Sequence, residues 1–248
     1  MDILGVKDSV VQSLRTQIII GDLAPGQKLN ESALSSLLGI SRPPLREAFR
    51  VLENEHLIHS LPRRGTYVSD LSVQDLREVF QARVMIECYA IDLLRAKKIR
   101  HLPDMESALK LVSKWPAPSH DDKEQVLQYL EAAVACHQRL IESTGNHWVQ
   151  RFYHSIHSSL TRYEFIYTYL AGHPYQRKNE HFEILALIRR GNYEKAKKSL
   201  TSHIYAVADV LEKKLTQESA TRASPKGPRP GMRHVPWSKE EKPGLRSG

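Results

Sequence analysis

The stretch NESALSSLLGISRPPLREAFRVLEN, residues 30–54, holds two short helical patterns with a tight turn between them. Asn30 is placed to cap the first helix, which carries Leu34, Leu37 and Leu38 on one side, and Gly39 ends it. Ser41 is placed to cap the second helix. That helix opens on Arg42-Pro43-Pro44, where prolines are tolerated because the first helical turn has unpaired N–H groups in any case. Leu45, Ala48, Phe49 and Leu52 then fall at i, i+3, i+4 and i+7, which gives this helix one buried face. Upstream, Val11, Leu14 and Ile18 share a helical face, Gly21 is a plausible stop, and residues 23–27 (LAPGQ) form a turn. Downstream, residues 57–60 and 66–69 read as short strands joined through residues 61–65. The order helix, helix, tight turn, helix, hairpin predicts a winged helix-turn-helix over residues 1–70.

The other face of the second helix carries the chemistry. Arg42, Arg46 and Arg50 lie at i, i+4 and i+8 and form one exposed stripe, as a helix seated in a DNA major groove requires. A guanidinium there can bond O6 and N7 of guanine together, and a residue farther along, such as Arg50, suits a phosphate. Arg63, Arg64 and Gly65 fall at the hairpin tip, where they can reach the adjacent backbone or minor groove. Ser41 completes the expected DNA-binding set. The competing reading is a solvated amphipathic helix whose arginines pair with Glu47 and Glu53. The turn before the helix and the basic hairpin after it favour DNA.

Two segments, GDLAPGQKLNESALSSLLGISRPPLREAFRVLENEHL (21–57) and PRRGTYVS (62–69), resemble the GntR family of bacterial transcription regulators. The likeness covers nearly the whole module from Val11 to Ser69. It departs at Pro43, usually Thr or Gly, and at His56, usually Gly. His56 is therefore expected to take a positive φ, which His tolerates better than most residues.

Residues 71–216 read as helices throughout, near 73–99, 103–114, 121–143, 146–171, 176–190 and 193–216, with no strand of useful length. The predicted fold class is thus mainly α: a three-helix winged module with a short β-hairpin, then an all-α bundle. His137 shares an apolar stripe with Val126, Leu130, Ala133 and Leu140. His181 lies with Ile184, Leu185 and Ile188, and His203 with Ala196, Leu200, Ile204, Val207 and Leu211. Three helices each aim an imidazole inward, and each imidazole needs a partner. A metal or a carboxylate ligand would serve all three. Arg83 lies on a stripe with Leu76, Phe80, Ala90 and Leu94. It either pairs with Glu87 one turn on or holds an effector carboxylate.

This region resembles the FCD effector domain of the FadR-like branch of the GntR family. The likeness rests on RVMIE (83–87), CHQRLIESTGN (136–146) and EHFEILALIRRGNYEKAKKSLTSH (180–203). It implies one divalent metal on His137, His181 and His203, and three imidazoles can hold zinc or nickel with water or ligand filling the rest. The aspartate that the resemblance places one turn before the first histidine is Ala133 here. The expected effector site is Arg83, His137, His181 and His203, with a small organic acid as ligand.

The chain of 248 residues, 41% hydrophobic, can build two small domains. Its net charge of +8 is unevenly spread: residues 1–70 carry 8 Lys+Arg against 8 Asp+Glu, 71–216 carry 21 against 17, and 217–248 carry 7 against 3. The DNA argument therefore rests on where the arginines sit, not on bulk charge. Residues 217–248, rich in Pro, Gly and Ser, are expected to be a disordered basic tail. Cys88 and Cys136 lack CxxC spacing, and reduced thiols in a cytoplasmic protein are the simplest reading. No apolar run spans a membrane and no signal pattern opens the chain.

The expected function is a non-enzymatic homodimeric regulator, usually a repressor by resemblance. It would bind an inverted-repeat operator and respond to a carboxylate metabolite. Two alternatives stay open: a metal-dependent hydrolase using the three-histidine site, and a DNA-binding dimer with no effector.

Overall fold

The structure is a computed structural model, and it describes residues 3–116, 118–119, 121–170 and 178–223. The chain opens with α1 (Ile3–Ile19), β1 (Lys28–Leu29), α2 (Glu31–Leu38), α3 (Arg42–Asn54), β2 (Ile58–Leu61) and β3 (Gly65–Val68). The strands form one antiparallel sheet in the order β1-β3-β2. The hairpin strands sit one residue off the sequence expectation because Leu61 pairs with Gly65, leaving residues 62–64 as the loop. Strand β1, two residues long, was not legible as a strand; it exists because Lys28 and Leu29 pair with Tyr67 and Thr66.

The reading of the decisive stretch holds in its main features. The Asn30 side chain accepts from the backbone N–H groups of Ser32 and Ala33, and Gly39 closes α2 in the left-handed conformation at φ 64°. Leu45, Ala48 and Leu52 have no solvent exposure and pack with Leu14, Ile18, Leu57 and Val68. His56 takes a φ of 58°. One expectation fails. Ser41 stands at the N-cap in extended backbone but makes no side-chain capping bond. An N-cap oxygen accepts from the second or third helical N–H. Those positions are Pro43 and Pro44, which have no hydrogen to give.

The remainder is helical: α4 (Val73–Ala96), α5 (Pro103–Ser113), α6 (Lys123–Glu142), α7 (His147–Leu170), α8 (Lys178–Arg189) and α9 (Tyr193–Ala223). Helix α9 runs on through residues 217–223, so the expected tail is helical at its start. Residues 224–248 lie outside the described part. Leu76, Phe80, Ile91 and Leu94 of α4 meet Leu200, Ile204 and Leu211 of α9 in one core, with Leu140, Tyr163, Ile184 and Ile188. No described helix is long and apolar enough to cross a membrane.

The two halves are joined by a mixed seam. Ile19 and Ile20 pack on Val126, Leu127, Leu130 and Val134 of α6 and Phe165 of α7. Glu55, just past α3, accepts from Arg15 Nε at 2.8 Å and Nη2 at 2.5 Å, and from Ser158 Oγ of α7 at 2.7 Å. The backbone carbonyl of Glu55 accepts from Ser159 Oγ at 3.2 Å, and that of Ser69 accepts from Arg162 Nη1 at 2.8 Å. Burial pushes the Glu55 carboxyl up, but the Arg15 guanidinium and the Ser158 hydroxyl outweigh it and hold it below the usual range.

Candidate DNA-reading surface and buried histidine centre

Arg42, Arg46 and Arg50 are all exposed on α3, opposite its buried face. Their contacts are short-range and solvent-facing. Arg42 Nη2 donates to Ser32 Oγ at 2.9 Å, Arg46 Nε to Glu31 Oε2 at 2.9 Å, and Arg50 Nη1 to Glu47 Oε1 at 2.6 Å. The competing reading thus holds for one pair, Arg50–Glu47. Glu53 instead accepts from the backbone N–H of Ser60 at 2.8 Å and ties α3 to the hairpin. Exposed pairs of this kind are worth about 0–1 kcal/mol. A phosphate or base edge can displace them at little cost.

The hairpin tip, Pro62 to Gly65, is exposed. Arg63 has φ 63° and Gly65 φ 110°. At Gly65 that φ disfavours any side chain, and an added Cβ would also meet Lys28 Cε at 2.9 Å, the flexible end of a side chain that can move aside. Lys28 also lies over the Tyr67 ring at 5.8 Å. It adds a cation beside the tip that sequence reasoning missed, because its placement depends on the unseen pairing of β1 with β3.

The three histidines do converge. Ring centroids lie 4.8 Å apart for His137–His181, 4.3 Å for His181–His203 and 5.5 Å for His137–His203. His137 and His181 face each other through Nε2 atoms 2.9 Å apart. His137 Nδ1 lies 2.7 Å from Glu87 Oε2, and His203 Nδ1 lies 2.6 Å from Glu180 Oε2. Burial depresses the basicity of His137 and His181, reinforced at His137 by Arg83 and at His181 by the other imidazoles. Neutral imidazoles are the form a metal needs.

Arg83 points inward as expected, at 2% exposure, and is already paired through Nε and Nη1. Nε donates to Glu87 Oε1 at 2.8 Å and Nη1 donates to Glu164 of α7. Burial alone would weaken the cation, yet the carboxylates of Glu164 and Glu87 hold it firmly protonated. The intrahelical pair with Glu87 is therefore present, and an effector carboxylate at Arg83 would have to displace an internal carboxylate. Glu164 and Glu180 carried no sequence signal, since each meets its partner from a different helix.

The donor set fits a divalent ion. Carboxylates on the far nitrogens of His137 and His203 fix the tautomers that turn Nε2 inward, the usual outer support of a metal-bound imidazole. Ala133 is fully buried and offers no donor. Cys136, His137 and His181 present ligating atoms that all lie within 4.8 Å of one another, so the sequence reading overlooked Cys136.

A winged helix with an arginine ridge, carried on a helical domain with a buried ionisable centre, defines a DNA-binding transcription regulator. The chain belongs to the GntR family: the profile of bacterial regulatory proteins of the gntR family matches residues 6–68, and that of the FCD domain matches residues 78–206. It is 26% identical over 192 residues to the uncharacterized HTH-type transcriptional regulator YdhC of Bacillus subtilis, covering 77% of this chain and 84% of that one. It is 25% identical over 205 residues to the HTH-type transcriptional repressor GlaR of Escherichia coli, covering 80% and 92%. Among solved structures, a GntR protein from Rhodococcus sp. RHA1 superposes with a TM-score of 0.66 at 21% identity, covering 83% and 96%. E. coli McbR/YncC superposes at 0.62 and 18%, covering 84% and 98%. At these identities the structural likeness speaks for the fold.

Proposed function

We propose that the protein is a homodimeric, cytoplasmic repressor that reads an inverted-repeat operator and is released by a ligand bound in the FCD domain. The reading head spans residues 1–70 and the ligand-binding and dimerisation domain residues 71–216. The observation that carries the proposal is the division of α3 into a buried face and a face of three exposed arginines. In this reading Arg42 and Arg46 meet base edges, Arg50 and Ser41 meet phosphates, and Arg63, Arg64 and Gly65 enter the adjacent groove with Lys28 beside them. The Ser41 hydroxyl suits a phosphate because the prolines leave it without a capping duty.

Helix α7 supplies the coupling. It presents Glu164 to Arg83 on one side and Ser158, Ser159 and Arg162 to the reading head on the other. A small organic acid that took the Arg83 guanidinium would displace Glu164 and bias how α7 holds the head. The effect on operator affinity is limited to the ligand's preference between the two arrangements. A divalent ion on His137, His181 and His203 would polarise and orient a carboxylate at the same centre. Hydrolysis has less support: His137, His181 and His203 are only 2%, 1% and 5% exposed, and the carboxylates beside them are engaged in pairing.

The test is selection from fragmented genomic DNA by the purified full chain, followed by sequencing of the retained fragments. A short inverted repeat is expected. Retention of unrelated sequences at random would overturn the reading. Thermal shift with carboxylic acids tests the ligand: a rise in melting temperature is expected for at least one, and no rise for any would support an effector-independent dimer.

A further inference from the structure

We infer that Cys136 is a thiolate ligand in a Cys–His metal centre completed by His137, His181 and His203, standing in for the carboxylate that position 133 lacks. This deepens the ligand-binding reading of the helical domain and is independent of how α3 reads DNA. Positions 133, 136 and 137 share one helical face, so a side chain three residues after Ala133 can reach the volume a donor at 133 would serve. Cys136 is 1% exposed, and its Sγ donates a long hydrogen bond, 3.5 Å, to the Ala133 carbonyl. A thiol so weakly engaged beside two imidazoles has little to give up on binding an ion.

The distances suit the chemistry. The donor atoms of Cys136, His137 and His181 lie within 4.8 Å of one another, and the two facing imidazole nitrogens lie at 2.9 Å. Tetrahedral bonding at zinc-like lengths sets S···N and N···N separations of about 3.3–3.6 Å. Rotations that move each donor by about 1 Å or less would therefore close the set. His203, whose ring lies 4.3 Å from that of His181 and whose Nδ1 faces Glu180, stands beside this set of three and would complete it as the fourth donor only after a larger movement.

The charge balance follows. An aquated divalent ion meets the thiol, the S–H bond breaks, the S–metal bond forms, and the proton leaves to the displaced water. The metal with one thiolate and three neutral imidazoles then carries a single net positive charge, as it would with an aspartate. Glu87 and Glu164 lie close enough to shield it. Sulfur in the set selects borderline ions such as zinc and cobalt over magnesium, calcium or manganese.

Cobalt(II) titration of the chelator-treated full chain tests this by absorbance. Expected are one equivalent bound, intense tetrahedral visible bands and a near-ultraviolet sulfur-to-cobalt charge-transfer band. Cys136→Ala should remove the charge-transfer band and weaken binding by more than about tenfold, with far-ultraviolet circular dichroism unchanged. Cys88→Ala should leave the spectrum as it is, and His181→Ala should weaken binding with the Cys136 thiol intact. Cobalt binding without the charge-transfer band, a band lost with Cys88 instead, or no stoichiometric binding would each overturn the inference. DNA retention measured on the same samples separates that outcome from failure of the regulator reading.

Discussion

Replacing Glu55 by Ala removes a side chain that both braces the reading head and ties it to α7. Glu55 is 8% exposed and accepts two bonds from Arg15 and one from Ser158. A hydrogen bond to a charged group contributes about 1.5–3 kcal/mol, and full rupture of a buried pair costs about 3–5 kcal/mol. The Arg15 side chain keeps 23% exposure and a 2.6 Å bond to Gln12, so part of its charge can return to water. The net expectation for Glu55→Ala is a loss of about 2–3 kcal/mol. At about 2–4 °C per kcal/mol for a chain of this size, the melting temperature should drop by roughly 4–12 °C. Ser158→Ala, which removes only the side-chain bond from α7 to Glu55 and leaves both Arg15 bonds, should lose less, about 1.5 kcal/mol. Urea unfolding followed by circular dichroism, with thermal melts alongside, measures both. A Glu55→Ala protein as stable as the parent, or a Ser158→Ala protein just as damaged, would refute the assignment of Glu55 as the brace.

Four further outcomes are expected. Ser41→Ala should change stability by less than about 0.3 kcal/mol, where an ordinary N-cap loss costs about 1 kcal/mol, and a larger loss in urea melts would contradict the idle hydroxyl. Glu31→Ala frees Arg46 and removes an anion from the DNA-facing side, so affinity at low salt should tighten by up to about fivefold per half-site, up to about 30-fold for the dimer, as a pair worth at most about 1 kcal/mol implies; anisotropy titrations check it. Burial, with help from the neighbouring His154, brings the His157 imidazole down to about 4 from an unfolded value of 6.5. Its neutral form is the one the fold accommodates, so its contribution is intact above pH 6.5 and is lost as pH falls toward 4, by at most about 1.4 kcal/mol per pH unit. His137 and His181 act in the same sense, while the Glu164 carboxyl, pushed up by burial, acts in the opposite one. Urea midpoints at pH 7.5, 6 and 5 should decline, and less steeply in His157→Gln; equal slopes would contradict the assignment. Arg83→Met should abolish the response to any carboxylate that stabilises the parent in thermal shift, and a response that survives would move the effector elsewhere.

The winged module was legible because its signals are local. A 3.6-residue apolar period places Leu45, Ala48, Phe49 and Leu52 inward, and the arginines must then face out. His56 was legible as a left-handed position only through the likeness to a pattern with Gly there. Ser41 shows the limit of reading residue types singly: Ser before a helix signals a cap, but the next two positions decide whether any N–H can answer it. Strand β1 and the Lys28 contact depend on pairing with a segment almost 40 residues away, for which two residues carry no period. The inward histidines followed from helical stripes. Glu87 and Glu180 as partners of His137 and His203, Glu164 as the second partner of Arg83, and the place of Cys136 among them depend on how five helices meet, and periodicity is silent on that.

In the proposed function, α3 reads DNA with its arginine ridge. The direct measurement is the affinity of the full chain, by fluorescence anisotropy at fixed salt, for the inverted repeat obtained by genomic selection, compared with Arg42→Ala and Arg46→Ala. Each lost guanidinium–base contact is worth about 1–3 kcal/mol per half-site. Loss at two half-sites should therefore weaken binding by roughly 30-fold to 3 × 10⁴-fold, with the dimer and the circular dichroism spectrum unchanged. Equal affinity for parent and both variants would show that the ridge does not touch the operator.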